Sequence, residues 1–213
     1  MKLKKPLGYY DYTVVLTYVG MLCAFSAIIM TLNENYQTAI VLLMVAGVCD
    51  MFDGAVANTK KRTPSEKKFG IQIDSLSDLI SFCLLPAIFV YEITGKSTAA
   101  SVVAAIYALA GLIRLAYYNV TEEERQQQTD ECRKFFQGVP VTSIAVLLPV
   151  VYALQCLGKV HNTVVYMFLL GLCSVGFLSP IEVKKPNLVG KIVLILVGIS
   201  EFVGVILLGW NFA

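Results

Sequence analysis

Polar residues divide the chain into seven apolar stretches, at roughly 10–31, 37–58, 70–93, 98–119, 140–157, 163–179 and 189–210. Most approach the length of about twenty residues at which a helix crosses the hydrocarbon layer of a bilayer. The pattern predicts an all-α integral membrane protein, a polytopic bundle of six core transmembrane helices plus an extra C-terminal helix. The seventh stretch is interrupted by Glu201. Connections are short except at 59–69 and 120–138, and neither an internal repeat nor a low-complexity tract is present.

Composition agrees with the pattern. Of 213 residues, 57% are hydrophobic and 15% charged, whereas soluble domains carry about a quarter charged residues. One membrane domain over 1–213 accounts for the length, and nothing suggests a nucleic-acid partner. Six cysteines are scattered, mostly in apolar stretches and without C-x-x-C spacing, and read as packing thiols. The start M-K-L-K-K precedes a stretch long enough to span that lacks a small-residue cleavage site, so it reads as the approach to the first helix.

Charge sets the orientation. If each stretch crosses once with the N-terminus inside, fourteen of the seventeen Lys and Arg fall on the cytoplasmic side, among them Lys60, Lys61, Arg62, Lys67 and Lys68. Only Lys96 and Lys159 fall outside, while Arg114 lies near the inner end of the fourth stretch. The expected location is the cell membrane, with several passes.

The chemistry is concentrated between Asp50 and Asp78. Asp50, Asp53, Gly54 and Ala57 fall on one helical face, as do Gly70, Asp74 and Asp78. Both acidic faces lie at the cytoplasmic ends of their stretches, where a soluble reactant and a lipid can meet. Four carboxylates at the edge of apolar segments need cations, and the interior offers only Arg114. Hard divalent ions are the economical partners. Two such ions can neutralise a diphosphate for in-line displacement while one carboxylate serves as general base. Gly54, Ala57 and Gly70 leave room for a bulky ligand to approach the backbone. A cation transporter is the competing class, although transporters place acids nearer the midplane.

The stretch resembles the motif of the CDP-alcohol phosphatidyltransferases, D-x2-D-G-x2-A-R-x8-G-x3-D-x3-D, matched at Asp50, Asp53, Gly54, Ala57, Gly70, Asp74 and Asp78. The resemblance implies two divalent cations, Mg²⁺ or Mn²⁺, held by Asp50, Asp53 and Asp74. It makes Asp78 the base and a further contact to the metals. Two positions depart from the motif. Asn58 stands where the motif has arginine, and eleven residues rather than eight lead to Gly70. Lys60, Lys61 and Arg62 are candidate replacements for that arginine, Lys60 foremost, in a CDP-lipid site with Gly54, Ala57, Asn58 and Gly70. The same basic run also serves as a positive-inside anchor.

Residues after Asp74 narrow the acceptor. D-S-L-S-D-L-I-S-F, R-L-A-Y-Y-N at Arg114–Asn119 and F-F-Q-G-V-P at Phe135–Pro140 resemble the serine-using branch of the family. The implied reaction moves a phosphatidyl group from CDP-diacylglycerol to L-serine. Glycerol 3-phosphate, inositol phosphate and an ether-lipid donor remain alternatives. Arg114 and Asn119 are the expected serine or phosphate contacts, and a homodimer in the membrane lipid is implied by the resemblance alone. Glu122, Glu123 and Glu124 read as the start of a solvated connector, and His161 as an outer turn without catalysis.

Overall fold

The computed structural model describes residues 7–128, 135–160, 162–184, 197–200, 202–205 and 207. A short 3-10 turn, Tyr12–Val14, leads into α1 (Val15–Leu32), followed by α2 (Tyr36–Ala57) and α3 (Pro64–Asp78). A π-helical segment, Leu79–Leu84, joins α3 to α4 (Leu85–Ile93), and α5 (Thr98–Gln128), α6 (Ile144–Cys156) and α7 (Val164–Leu178) complete the bundle. Among the described residues, four spans are long and apolar enough to cross a membrane: Tyr12–Leu32, Tyr36–Ala57, Pro64–Ile93 and Thr98–Arg125. Two shorter apolar helices, Val141–Cys156 and Val164–Leu178, stand beside them. The outer faces suit a lipid solvent. On α7, Phe168, Leu172 and Val175 lie one turn apart and are 73%, 62% and 71% exposed.

Two helices extend beyond the apolar pattern. The third starts at Pro64 rather than 70, because Thr63 and Glu66 form a capping box and Pro64 occupies the first turn. The fourth long helix continues past 119 to Gln128, into what hydropathy assigns to a connector. Its Glu122 pairs with Arg125 at 2.6 Å on one face, and Glu123 takes Lys68 of α3 at 2.9 Å. The fold also holds one element outside the all-α expectation. Strand β1 (Phe135–Gln137) pairs antiparallel with β2 (Glu182–Lys184), with Phe136 opposite Val183. Gly138 ends the ribbon at φ +72°, and a side chain there would meet the Phe177 carbonyl at 2.7 Å. Only glycine fits both demands.

Small residues bring the helices together, as expected where lipid tails remove the usual hydrophobic drive between helices. Gly20 of α1 faces Ala46 and Cys49 of α2, and Ala24, Ala27, Ala39 and Ala46 are all buried in the core. The π segment has a local cause. Pro86 has no N–H to give to Phe82, four residues earlier. The Leu85 N–H bonds to the Ile80 carbonyl, and the freed Phe82 carbonyl accepts the buried Tyr107 hydroxyl at 2.7 Å. The segment begins at the residue after Asp78. At the far end of the bundle, Phe89 packs among Tyr36, Tyr152 and Tyr166.

Part of the seventh apolar stretch is helical, at 197–200, 202–205 and 207. Val205 is buried and its carbonyl accepts from Gln37 of α2 at 3.2 Å. The extra segment therefore docks on the bundle. Glu201, His161 and Lys185 lie outside the described residues.

Candidate metal and active site

The four aspartates converge as two rungs between α2 and α3. Asp50 of α2 lies close to Asp78 of α3, one turn further into the bundle than the corresponding pair of Asp53 and Asp74, and all four line one cleft. Helical spacing of three residues on α2 and four on α3 makes the rungs coincide. Asp50, Asp74 and Asp78 each offer an oxygen within 4.8 Å of the others, and Asp53 lines the same cleft. Helix α1 supplies the back wall. Thr17 donates to Asp53 at 3.3 Å, and its own carbonyl accepts from Ser77 at 3.4 Å. Leu16, Gly20, Ser81 and Phe82 also stand on the walls of this cleft.

Among the described residues, no lysine or arginine forms a salt bridge with these aspartates. Carboxylates this close repel one another when ionised, and desolvation adds to the cost. An all-oxygen donor set of four acids fits a hard divalent cation. The residues present therefore suit the metal that their spacing predicts.

The remaining expected residues divide. Gly54 is exposed, and nothing stands within 4 Å of where a side chain would begin, so this side of the cleft is open to a ligand. Ala57 is half-buried in the last turn of α2, and Asn58 ends that helix with its backbone N–H on Gly54. Asn119 accepts from Ser75 at 2.8 Å, which ties α5 to α3 beside Asp74. Arg114 is 9% exposed, lies within electrostatic range of Asp78 and Cys83, and has a buried Nε with no hydrogen-bond partner. A buried guanidinium nitrogen left orphaned is costly unless a ligand takes it.

Lys60 stands elsewhere. Its ammonium lies 2.8 Å from Asp11 and 3.5 Å from Glu66. Hydrogen bonds from Lys60 and then Thr13 hold the Asp11 carboxyl below its usual range, to about 2. With the folded value lowered, the pair is complete above the usual carboxylate value of 3.8 and dissolves only as pH falls towards 2. The lysine is thus committed to protein carboxylates at neutral pH. Arg62 instead lies over Gly70, with Nη1 2.9 Å from where a β-carbon would stand. The sequence motif contains neither Thr17 nor Ser77 as a wall residue. A buried threonine in an apolar helix was the only signal for the first, and the serine run after Asp74 for the second.

Comparison with known proteins agrees with this geometry. A family model for CDP-alcohol phosphatidyltransferases matches residues 13–176, which include both acidic faces, Arg114 and Asn119. The chain belongs to the CDP-alcohol phosphatidyltransferase family. Among similar family members is a CDP-diacylglycerol–serine O-phosphatidyltransferase of Saccharomyces cerevisiae, 30% identical over 129 residues, 59% of this chain and 46% of that protein. Proteins of the same description match from Helicobacter pylori, at 28% over 177 residues (80% of this chain, 68% of that one), and from Methanocaldococcus jannaschii, at 27% over 183 residues (86% and 79%). The aligned region spans about half the length of the yeast relative and of a Mycobacterium bovis relative, 46% and 48%.

Proposed function

We propose that this protein transfers the phosphatidyl group of CDP-diacylglycerol to L-serine, giving phosphatidylserine and CMP. The observation that carries the reading is the pair of aspartate rungs at one end of the bundle, inside the family match. The serine-using relatives favour serine as the acceptor.

Asp50, Asp53 and Asp74, with Asp78 at the inner rung, would hold two divalent cations, Mg²⁺ or Mn²⁺. When bound, these ions supply charge neutralisation for the diphosphate and the departing CMP. Asp78 takes the proton from the serine hydroxyl. The serine oxygen then forms a bond to the β-phosphorus as the bond to the bridging oxygen breaks, and CMP leaves with that electron pair. Arg114 offers its unpartnered Nε to the serine carboxylate. Asn119, fixed by Ser75, orients the same headgroup, and exposed Gly54 leaves a flank along which the donor lies.

The loop end of the bundle carries Lys60, Lys61, Arg62, Lys67, Lys68 and Arg125, so we assign that end to the cytoplasm of a cell membrane protein. The described helices are read as one domain over 1–213, working as a homodimer. The test is CMP release from CDP-diacylglycerol by purified protein, with serine, glycerol 3-phosphate and inositol phosphate offered in turn. Release with serine alone supports the reading. Release with another alcohol changes the acceptor, and cation flux without CMP release makes the protein a transporter.

A further inference from the structure

The loop between the two acidic helices is strapped down. Besides the Asp11–Lys60–Glu66 ion pairs, the Tyr12 and Thr59 hydroxyls meet at 3.0 Å and the Tyr9 ring lies 5.3 Å from Phe69. Residues 9–12 thus hold both ends of the 58–63 connection. The strap leaves the neighbouring cations in different states. Lys61 and Lys67 are exposed, whereas Arg62 is half-buried and has no carboxylate partner among the described residues.

A half-buried arginine with no carboxylate partner among the described residues, one helical turn from Asp74, requires an explanation. Its guanidinium lies against Gly70, on the face of α3 that continues to Asp74 and Asp78, about 6 Å and 12 Å further along the helix axis. Any larger residue at 70 would push it out, since even a β-carbon would sit 2.9 Å from Nη1. A ligand that would meet cations held by the aspartates on one side and a planar guanidinium on the other carries several anionic oxygens a few ångströms apart. A diphosphate does, and arginine reads phosphate oxygens through two parallel N–H groups.

The geometry points to Arg62, positioned by the Asp11–Lys60–Glu66 strap, as the cation that binds the diphosphate of the nucleotide-activated donor at the mouth of the aspartate cleft. This rests on the phosphatidyl-transfer reading and names the residue that grips the donor outside the metal site. Asn58, where the family motif has arginine, contributes no charge, and Lys60 is already engaged.

The experiment measures equilibrium binding of CDP to purified protein with Mg²⁺ present, together with KM for CDP-diacylglycerol and for serine. Losing a charge-assisted hydrogen bond predicts that Arg62→Gln weakens CDP binding about ten- to hundredfold. KM for the CDP-lipid rises in parallel and KM for serine stays within about twofold. Arg62→Lys, which keeps the charge but not the fork, falls between Arg62→Gln and the parent. Asp11→Asn, which loosens the strap, weakens CDP binding by a smaller factor, and exposed Lys67→Gln leaves it unchanged. CDP affinity unchanged in Arg62→Gln overturns the assignment, as does a loss confined to serine KM. If the parent protein releases no CMP with any alcohol, the underlying reading fails instead, so the two failures are distinguishable.

Discussion

Gly111 offers a sharp test of how the bundle positions its acid. A β-carbon there would lie 2.3 Å from the Cys83 sulfur and 3.1 Å from its β-carbon. Ordinary contact needs about 3.5–4.0 Å, so in Gly111→Ala the Cys83 sulfur or the helices that carry it must shift by more than about 1 Å. Cys83 is fully buried, so either shift disturbs packed neighbours. Overpacking of this kind costs about 1–3 kcal/mol, and a shift near 1 Å at reacting groups can lower turnover by about a hundredfold. Both effects converge because the π segment starts just after Asp78 and Arg114 stands one turn beyond Gly111. Thermal unfolding in detergent and CMP release with CDP-diacylglycerol and serine should both show a deficit in Gly111→Ala. Adding Cys83→Ala removes the sulfur but leaves the 3.1 Å contact, so the double variant should recover part of each loss. The two sites are then coupled rather than additive. Parent-like stability and turnover in Gly111→Ala, or a double variant no better than the sum of its parts, would refute the reasoning.

Two further outcomes follow from the same contacts. Tyr107→Phe strips the hydroxyl from the Phe82 carbonyl, leaving a buried acceptor unpaired; unfolding should cost about 1–3 kcal/mol less. An unchanged melting point would show that the carbonyl finds another donor. Arg114→Lys should raise serine KM at least tenfold, by roughly the loss of one charge-assisted hydrogen bond, while CDP affinity holds. Unaltered serine KM and turnover would remove Arg114 from the acceptor site.

The aspartate rungs were legible because helical spacing alone puts Asp50 with Asp53 and Asp74 with Asp78 on facing stripes. Hydropathy also located the apolar core of each helix. It failed at helix ends that polar residues build: the Thr63–Glu66 capping box and the charged face of 120–128 extend helices without adding apolar length. Contacts distant in sequence were beyond it. The π segment depends on Pro86, which was visible, and on Tyr107, 25 residues from Phe82, which was not. Lys60 looked free in a basic run because its partner, Asp11, is 49 residues away. Thr17 lies on a helix that contributes no motif residue, so only the packing of α1 against α2 and α3 brings it to the site. The β1–β2 ribbon joins two connections too short to announce themselves as strands.

The most direct measurement compares the parent protein with Asp78→Asn in CMP release and metal-dependent CDP binding. Serine-dependent release by the parent should require Mg²⁺ or Mn²⁺. Asp78→Asn should lose about 10²–10⁴-fold or more in turnover, the range expected for a missing general base, while CDP binding persists. Asp78→Asn turning over serine at close to the parent rate would contradict the account.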